Sequence, residues 1–307
     1  YYNSFIEHLP ADSPWVLDME VIGIPRWAAE RARDAKCRVV AVEDTMELSF
    51  YDGLVRGLED LSIGALLPQM HGDLRLMRAV KDEEEIALMK RAQAITDAAF
   101  AHMLEFIRPG LTEKQIKLEL ENFMFENGAD GLAFGSIVAA GPNAANPHAI
   151  PSDRPVQKGE FVLMDYGARY HDYDSDMTRT VAVGEPSAKM REIYDLVQRT
   201  HEECAKAVYA GVDGNEIHEL SRKIIGDAGY GEYYGHGLGH GVGIDIHELP
   251  NFGRTHNTVG EGSVVTIEPG VYLPGEFGVR LEDYGLVTAQ GFVPFPQSPH
   301  DLQVIDC

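Results

Sequence analysis

At 307 residues the chain is long for one core and short for three domains, so one large domain with a smaller companion is expected. Its 44% hydrophobic and 24% charged content is that of an ordinary globular chain, and 26 basic against 49 acidic residues, a net charge of −23, argues against nucleic acid or an anionic membrane surface as partner. Cys37, Cys204 and Cys307 are far apart and outside any CxxC pair, which fits a reducing cytoplasm, and no apolar run approaches the ~18 residues needed to cross a bilayer.

The N-terminus has no basic-then-apolar signal pattern and no initiator Met, as a trimmed product would. Residues 1–73 mix the apolar runs WVLDMEVIGI and CRVVAVE with a helical pattern, RWAAERARDA, predicting a small α/β domain that covers or dimerises. From residue 74 the texture changes. KDEEEIALMKRAQAITDAAFAHMLEFI predicts a long amphipathic helix with acids at its start, stopped by Arg108-Pro109-Gly110. A second helix runs from an N-cap at Thr112 to Asn127-Gly128. SIVAA, FVLMDYGARY and TRTVAV read as strands, and the Asn, Pro and Gly cluster between the first two as a loop carrying His148. A third helix covers SAKMREIYDLVQRTHEECAKAVYA and a fourth Asp213 to Asp227.

The chain then repeats itself. Gly110, Leu111, Ile116 and Gly128 match Gly211, Val212, Ile217 and Gly229, and KGEFVLMDYG matches EGSVVTIEPG so that Asp165 falls on Glu268. With a slightly wider offset Asp176 falls on Glu282. Two halves related by an approximate two-fold axis would bring these four carboxylates together, where mutual repulsion and desolvation would raise their pKa values. A dinuclear cation removes that conflict; oxygen ligands plus one imidazole suit divalent manganese, cobalt, iron or zinc. Between the repeated segments, GHGLGHGVGIDIHE sets His236, His240 and His247 among five glycines, keeping backbone freedom where side chains converge.

Asp in LMDYGA, Asp in DSDMTRT, His in HGLGH, Glu in TIEPG and Glu in VRLED, in that order, resemble the pita-bread metallopeptidases, the family of prolidase, aminopeptidase P, methionine aminopeptidase and creatinase. The resemblance covers residues 80–296. It implies an α/β pita-bread fold of two repeated halves over residues 74–307, behind a partial N-terminal domain at 1–73 that is shorter than that of prolidases and creatinases. By the same resemblance Asp165 chelates one ion, Asp176 and Glu282 bridge both, and His240 and Glu268 complete the other, with manganese the first choice of metal. Glu268 also shuttles the proton, His148, His236 and His247 line the pocket as donors and relays, and Arg280 binds a substrate carboxylate or, alternatively, neutralises a ligand acid. The HGLGHGVGIDIHE arrangement points to the proline-directed branch: hydrolysis of Xaa-Pro dipeptides, or alternatively an aminopeptidase P acting on longer Xaa-Pro peptides, a related non-peptide hydrolase or lyase, or a catalytically silent module. A cytoplasmic homodimer is expected. Tyr284, where the family has small or β-branched residues, is expected to alter pocket shape, and Asp172 and Asp174 to decorate a hairpin turn. His102, His201 and His218 are expected to be structural or solvated, and His8, His71, His171, His256 and His300 attract no role.

Overall fold

The structure, a computed structural model, describes residues 23–307, which fall into two units that divide between Leu74 and Arg75. Of the predicted run WVLDMEVIGI only Gly23 and Ile24 lie among the described residues, and His8 lies outside them. In the first unit, helix α1 (Ile24–Asp34), with a proline in its first turn, packs on α2 (Leu48–Asp60) through Ala29, Ala32, Leu54 and Leu58. A Cβ on Gly57 would stand 2.9 Å from that of Ala29, so glycine is what lets these helices approach. RVVAVE forms no regular strand; Val39 and Val42 make isolated parallel bridges to Leu66 and Gln69.

A short helix, α3 (Asp73–Ala79), leads to α4 (Glu83–Phe106). Asp82 caps α4 in a capping box with Glu85, and Met89, Ile95, Ala99 and Met103 form its buried stripe. Thr112 and Gln115 cap α5 (Glu113–Glu126) in the same way. There follow β1 (Gly131–Leu132), β2 (Ile137–Ala140), β3 (Glu160–Tyr166), β4 (Ala168–Tyr170), β5 (Tyr173–Asp174) and β6 (Met177–Val183). The second half opens with α6 (Ala188–Ala207), capped by Ser187, and α7 (Gly214–Asp227), capped by Asp213. Its strands are β7 (Gly239–Gly241), β8 (Glu248–Phe252), β9 (Val264–Ile267), β10 (Gly270–Leu273), β11 (Phe277–Arg280), β12 (Glu282–Thr288), β13 (Gly291–Pro294) and β14 (Val304–Ile305).

The main sheet runs β2-β3-β6-β12-β9-β7-β8, with β13 on β12 and β14 on β6. Its centre is the antiparallel β6/β12 pair, where Glu282 faces Thr178; β3 flanks that pair on one side and β9 on the other. The repeat read from the sequence is therefore a structural one. Thr112 bridges Pro155 in the first half as Asp213 bridges Thr258 in the second. The matched glycines keep the left-handed backbone that drew glycine to them: φ is +92° and +102° at Gly110 and Gly211, and +86° and +85° at Gly159 and Gly262.

Two expectations are corrected. Tyr284 does not shape a pocket; it is fully buried, its hydroxyl donates to the Met89 carbonyl at 2.8 Å, and its ring meets Phe295 edge-on, because the strand carries it into the core beneath α4. Asp174 is no surface decoration but a buried carboxylate clamped by Arg169 at 2.7 and 3.0 Å. Asp172, with φ +67°, does lie in the turn.

Candidate metal centre

The central strands deliver the acids. Asp165 sits near the end of β3, Asp176 just before β6, Glu268 just after β9 and Glu282 at the start of β12, so strand pairing across the sheet centre gathers all four. His240 reaches them from β7, its backbone N–H donating to Thr266 Oγ1 at 3.0 Å. All nine predicted site residues line one cavity of about 300 Å³, closed on its apolar side by Phe134, Ile137, Pro147 and Ile246.

The electrostatics of the cluster are unfavourable without a cation. Burial, followed by the charges of Glu282, Asp165 and Glu268, holds Asp176 well above the usual carboxylate range. Burial pushes Glu268 up to about 8, and Glu282 is raised by burial and by the charges of Glu268 and Asp165. His240 Nδ1 lies 3.0 Å from the Gly241 carbonyl, which only accepts, so Nδ1 carries the proton and Nε2 presents a lone pair. That lone pair faces Asp176 Oδ2 at 3.6 Å and Glu268 Oε1 at 3.5 Å. The donor atoms of Asp176, His240 and Glu282 all lie within 4.8 Å of one another, and Asp165 Oδ1 is buried with no hydrogen-bond partner. Lone pairs converging in a largely buried site, one of them orphaned, fit divalent ions held by oxygen and one imidazole.

Neighbouring side chains fix the acids. Thr178 Oγ1 donates to Glu282 Oε2 at 2.7 Å and accepts from Arg280 Nε at 3.0 Å. Arg280, 3% exposed, also donates to Asp165 Oδ2, to Tyr272 at 2.8 Å and to the Pro147 carbonyl at 3.4 Å. Four of its five N–H groups are thus taken by protein atoms, the neutralising role weighed as an alternative. His236 Nδ1 donates to the Gly237 carbonyl at 2.7 Å, so the Tyr272 hydroxyl must donate to Nε2 at 2.9 Å. Burial lowers His236 to about 4 and raises Tyr272 to about 12, so both are neutral and neither His236 nitrogen is turned to the cavity as a donor. His148 and His247 are exposed on the rim, the ring of His247 4.3 Å from that of His240.

Sequence reasoning missed Thr178, Tyr272 and Glu113. Glu113 is fully buried and accepts from the Ala140 and Ser152 N–H groups, the Ser152 hydroxyl and the Asn143 amide at 2.7 to 2.8 Å, tying down the loop that carries His148. An acid in the first turn of a helix ordinarily faces water, so nothing in the sequence set it apart.

A sheet of two like halves, with acids converging where the halves meet, defines a pita-bread metallohydrolase. The sequence pattern of metallopeptidase family M24 matches residues 87–289, and the chain belongs to that family. It is 41% identical over 230 residues to an Xaa-Pro dipeptidase of Pyrococcus horikoshii, a match covering 75% of this chain and 66% of that one. Among solved structures it resembles an Xaa-Pro dipeptidase from Bacillus anthracis, with a TM-score of 0.87, 40% identity and coverage of 93% of this chain and 79% of the other. An X-Pro aminopeptidase from Thermotoga maritima gives a TM-score of 0.90 at 33% identity, with 99% and 85% covered.

Proposed function

We propose that this chain is a dinuclear-metal peptidase that cleaves the Xaa-Pro bond of dipeptides. The observation that carries the reading is the single cavity in which four acids, an imidazole and a buried guanidinium meet apolar walls. The dipeptidase names of relatives from Pyrococcus and Bacillus support the same substrate.

In this reading Asp165, Asp176, His240, Glu268 and Glu282 would together hold the two ions. Manganese is our first choice, ahead of cobalt, zinc or iron, because carboxylate oxygens outnumber imidazole in the set. Bound there, the ions would polarise the scissile carbonyl and make a water molecule more acidic. Glu268 takes the proton released in the attack and returns it to the departing prolyl nitrogen. That nitrogen is tertiary in the substrate and has no N–H, so Phe134, Ile137 and Pro147 recognise the ring by shape. His148 and His247 hydrogen-bond the substrate from the rim, while His236, held by Tyr272, gives the wall its shape. Arg280 fixes Asp165 and draws the substrate carboxylate with its charge.

We further assign residues 1–73 to an N-terminal domain of the prolidase kind and 74–307 to the catalytic domain. Among the described residues no helix is long and apolar enough to cross a membrane. Three free cysteines support a reducing cytoplasm, and the prevalence of two-fold assemblies supports a homodimer. The test is hydrolysis of Ala-Pro beside Ala-Pro-Ala with added manganese. We expect the dipeptide to be cut and the tripeptide spared; cleavage of the tripeptide would reassign the chain as an aminopeptidase.

A further inference from the structure

On the other face of β12 from Glu282 lies a second cluster that the peptidase reading does not use. Successive residues of a strand point to opposite faces, so Asp283 turns away from the cavity toward His201 of α6 and His300 of the C-terminal segment. One donor atom from each of the three lies within 4.8 Å of the other two. His201 is 2% exposed, and neither of its ring nitrogens has a hydrogen-bond partner. Its Nε2 stands 3.8 Å from Asp283 Oδ2, too far for a hydrogen bond, and its ring centroid is 4.8 Å from that of His300. A buried polar ring aimed at a carboxylate it does not reach is an arrangement that hydrogen bonding leaves unexplained.

We propose that His201, Asp283 and His300 form a separate mononuclear site for a divalent transition-metal ion, with zinc the ion it suits best. Two imidazoles and one carboxylate are the donors zinc takes, whereas magnesium and calcium prefer oxygen throughout. Tetrahedral zinc with bonds of ~2.0–2.1 Å sets its donors ~3.3 Å apart. Here His300 Nε2 and Asp283 Oδ2 are 2.6 Å apart and His201 Nε2 and Asp283 Oδ2 3.8 Å, so an ion requires one gap to open and the other to close, each by less than about 1 Å. Arg179 occupies Asp283 Oδ1 at 2.8 Å and leaves Oδ2 to the ion. The side chain of His300 is 30% exposed and gives the ion a way in, with water completing the fourth position. Its Nε2 now donates to the carboxylate, so binding requires the other tautomer, with the ring proton on Nδ1.

The test is the number of zinc ions bound per full-length chain, measured by equilibrium dialysis on the natural protein and on His201→Gln and His300→Gln, with circular dichroism confirming that each is folded. The site predicts one ion fewer in each variant than in the natural protein. That difference is independent of how many ions the Asp165–Glu282 cluster takes, so it does not depend on the peptidase reading. His300→Gln, at a partly exposed position, supplies the comparison if His201→Gln fails to fold. Equal counts in the natural protein and the folded variants would overturn the proposal.

Discussion

Single side chains at the site are set by what surrounds them. Glu268 has the same chemistry as any surface glutamate, yet with no cation beside it burial pushes it up to about 8, and only a cation would return it to the charged form a base needs. Glu268→Gln keeps the shape, and one oxygen for an ion, while removing the base. We expect kcat to fall by about 10²–10⁴-fold with KM changed much less, measured on Ala-Pro at saturating manganese. A parallel rise in KM with kcat intact would assign Glu268 to substrate binding instead. Residue identities were the most legible part of the cavity, because four acids and an imidazole in fixed order within short motifs mark themselves, and all five line it. The hydrogen bonds were not legible: the resemblance makes His236 a donor, but its neighbours Gly237 and Tyr272 occupy both nitrogens, a fact of geometry that no motif encodes.

Helices and strands were readable where amphipathic spacing coincided with caps. The acids at the start of α4, Thr112 before α5 and Asp213 before α7 all stand where a helix begins. RVVAVE shows the limit of pattern: β-branched residues in a row predict a strand, but pairing decides it, and here pairing amounts to two bridges. Tyr284 shows another limit, since its place in an acidic motif said nothing of the core under α4. Glu113 joins an element to the site. Removing its carboxylate in Glu113→Ala leaves the buried Ala140 N–H and the half-buried Ser152 N–H without an acceptor. We expect a loss of roughly 2–4 kcal/mol in stability, from unfolding at constant metal, and a raised KM as the His148 loop loosens. Unchanged stability would mean that water replaces those bonds at no cost.

At the scale of the whole molecule, the two-fold repeat explains why the acids sit at its centre: matching strands from each half place matching carboxylates at the β6/β12 seam. Concentrating them there makes the fold depend on what neutralises them. Without metal, the folded chain holds the Glu268 proton more tightly than the unfolded chain does, so the stability it contributes is full at low pH and is lost as pH rises toward 8. Asp176 and Glu282 are raised in the same direction. The imidazoles of buried His201 and half-buried His236 and His240, lowered by desolvation from 6.5 to about 4, act oppositely: their contribution is full above 6.5 and is lost as pH falls toward 4. Between pH 6.5 and 8 those three imidazoles no longer titrate, while Glu268 does. Chelated protein should therefore lose thermal stability across that window while manganese-loaded protein holds steady; parallel curves would show that the acids are neutralised by something other than metal.

The account stands most directly on the rate of Ala-Pro hydrolysis followed as manganese is added back to chelated, full-length protein, beside Asp176→Asn. The dinuclear peptidase reading predicts activity that rises to a plateau at two bound manganese ions per chain and is lost by at least about 100-fold in the variant. Cleavage that persists in chelator, or in Asp176→Asn at the natural rate, would contradict it.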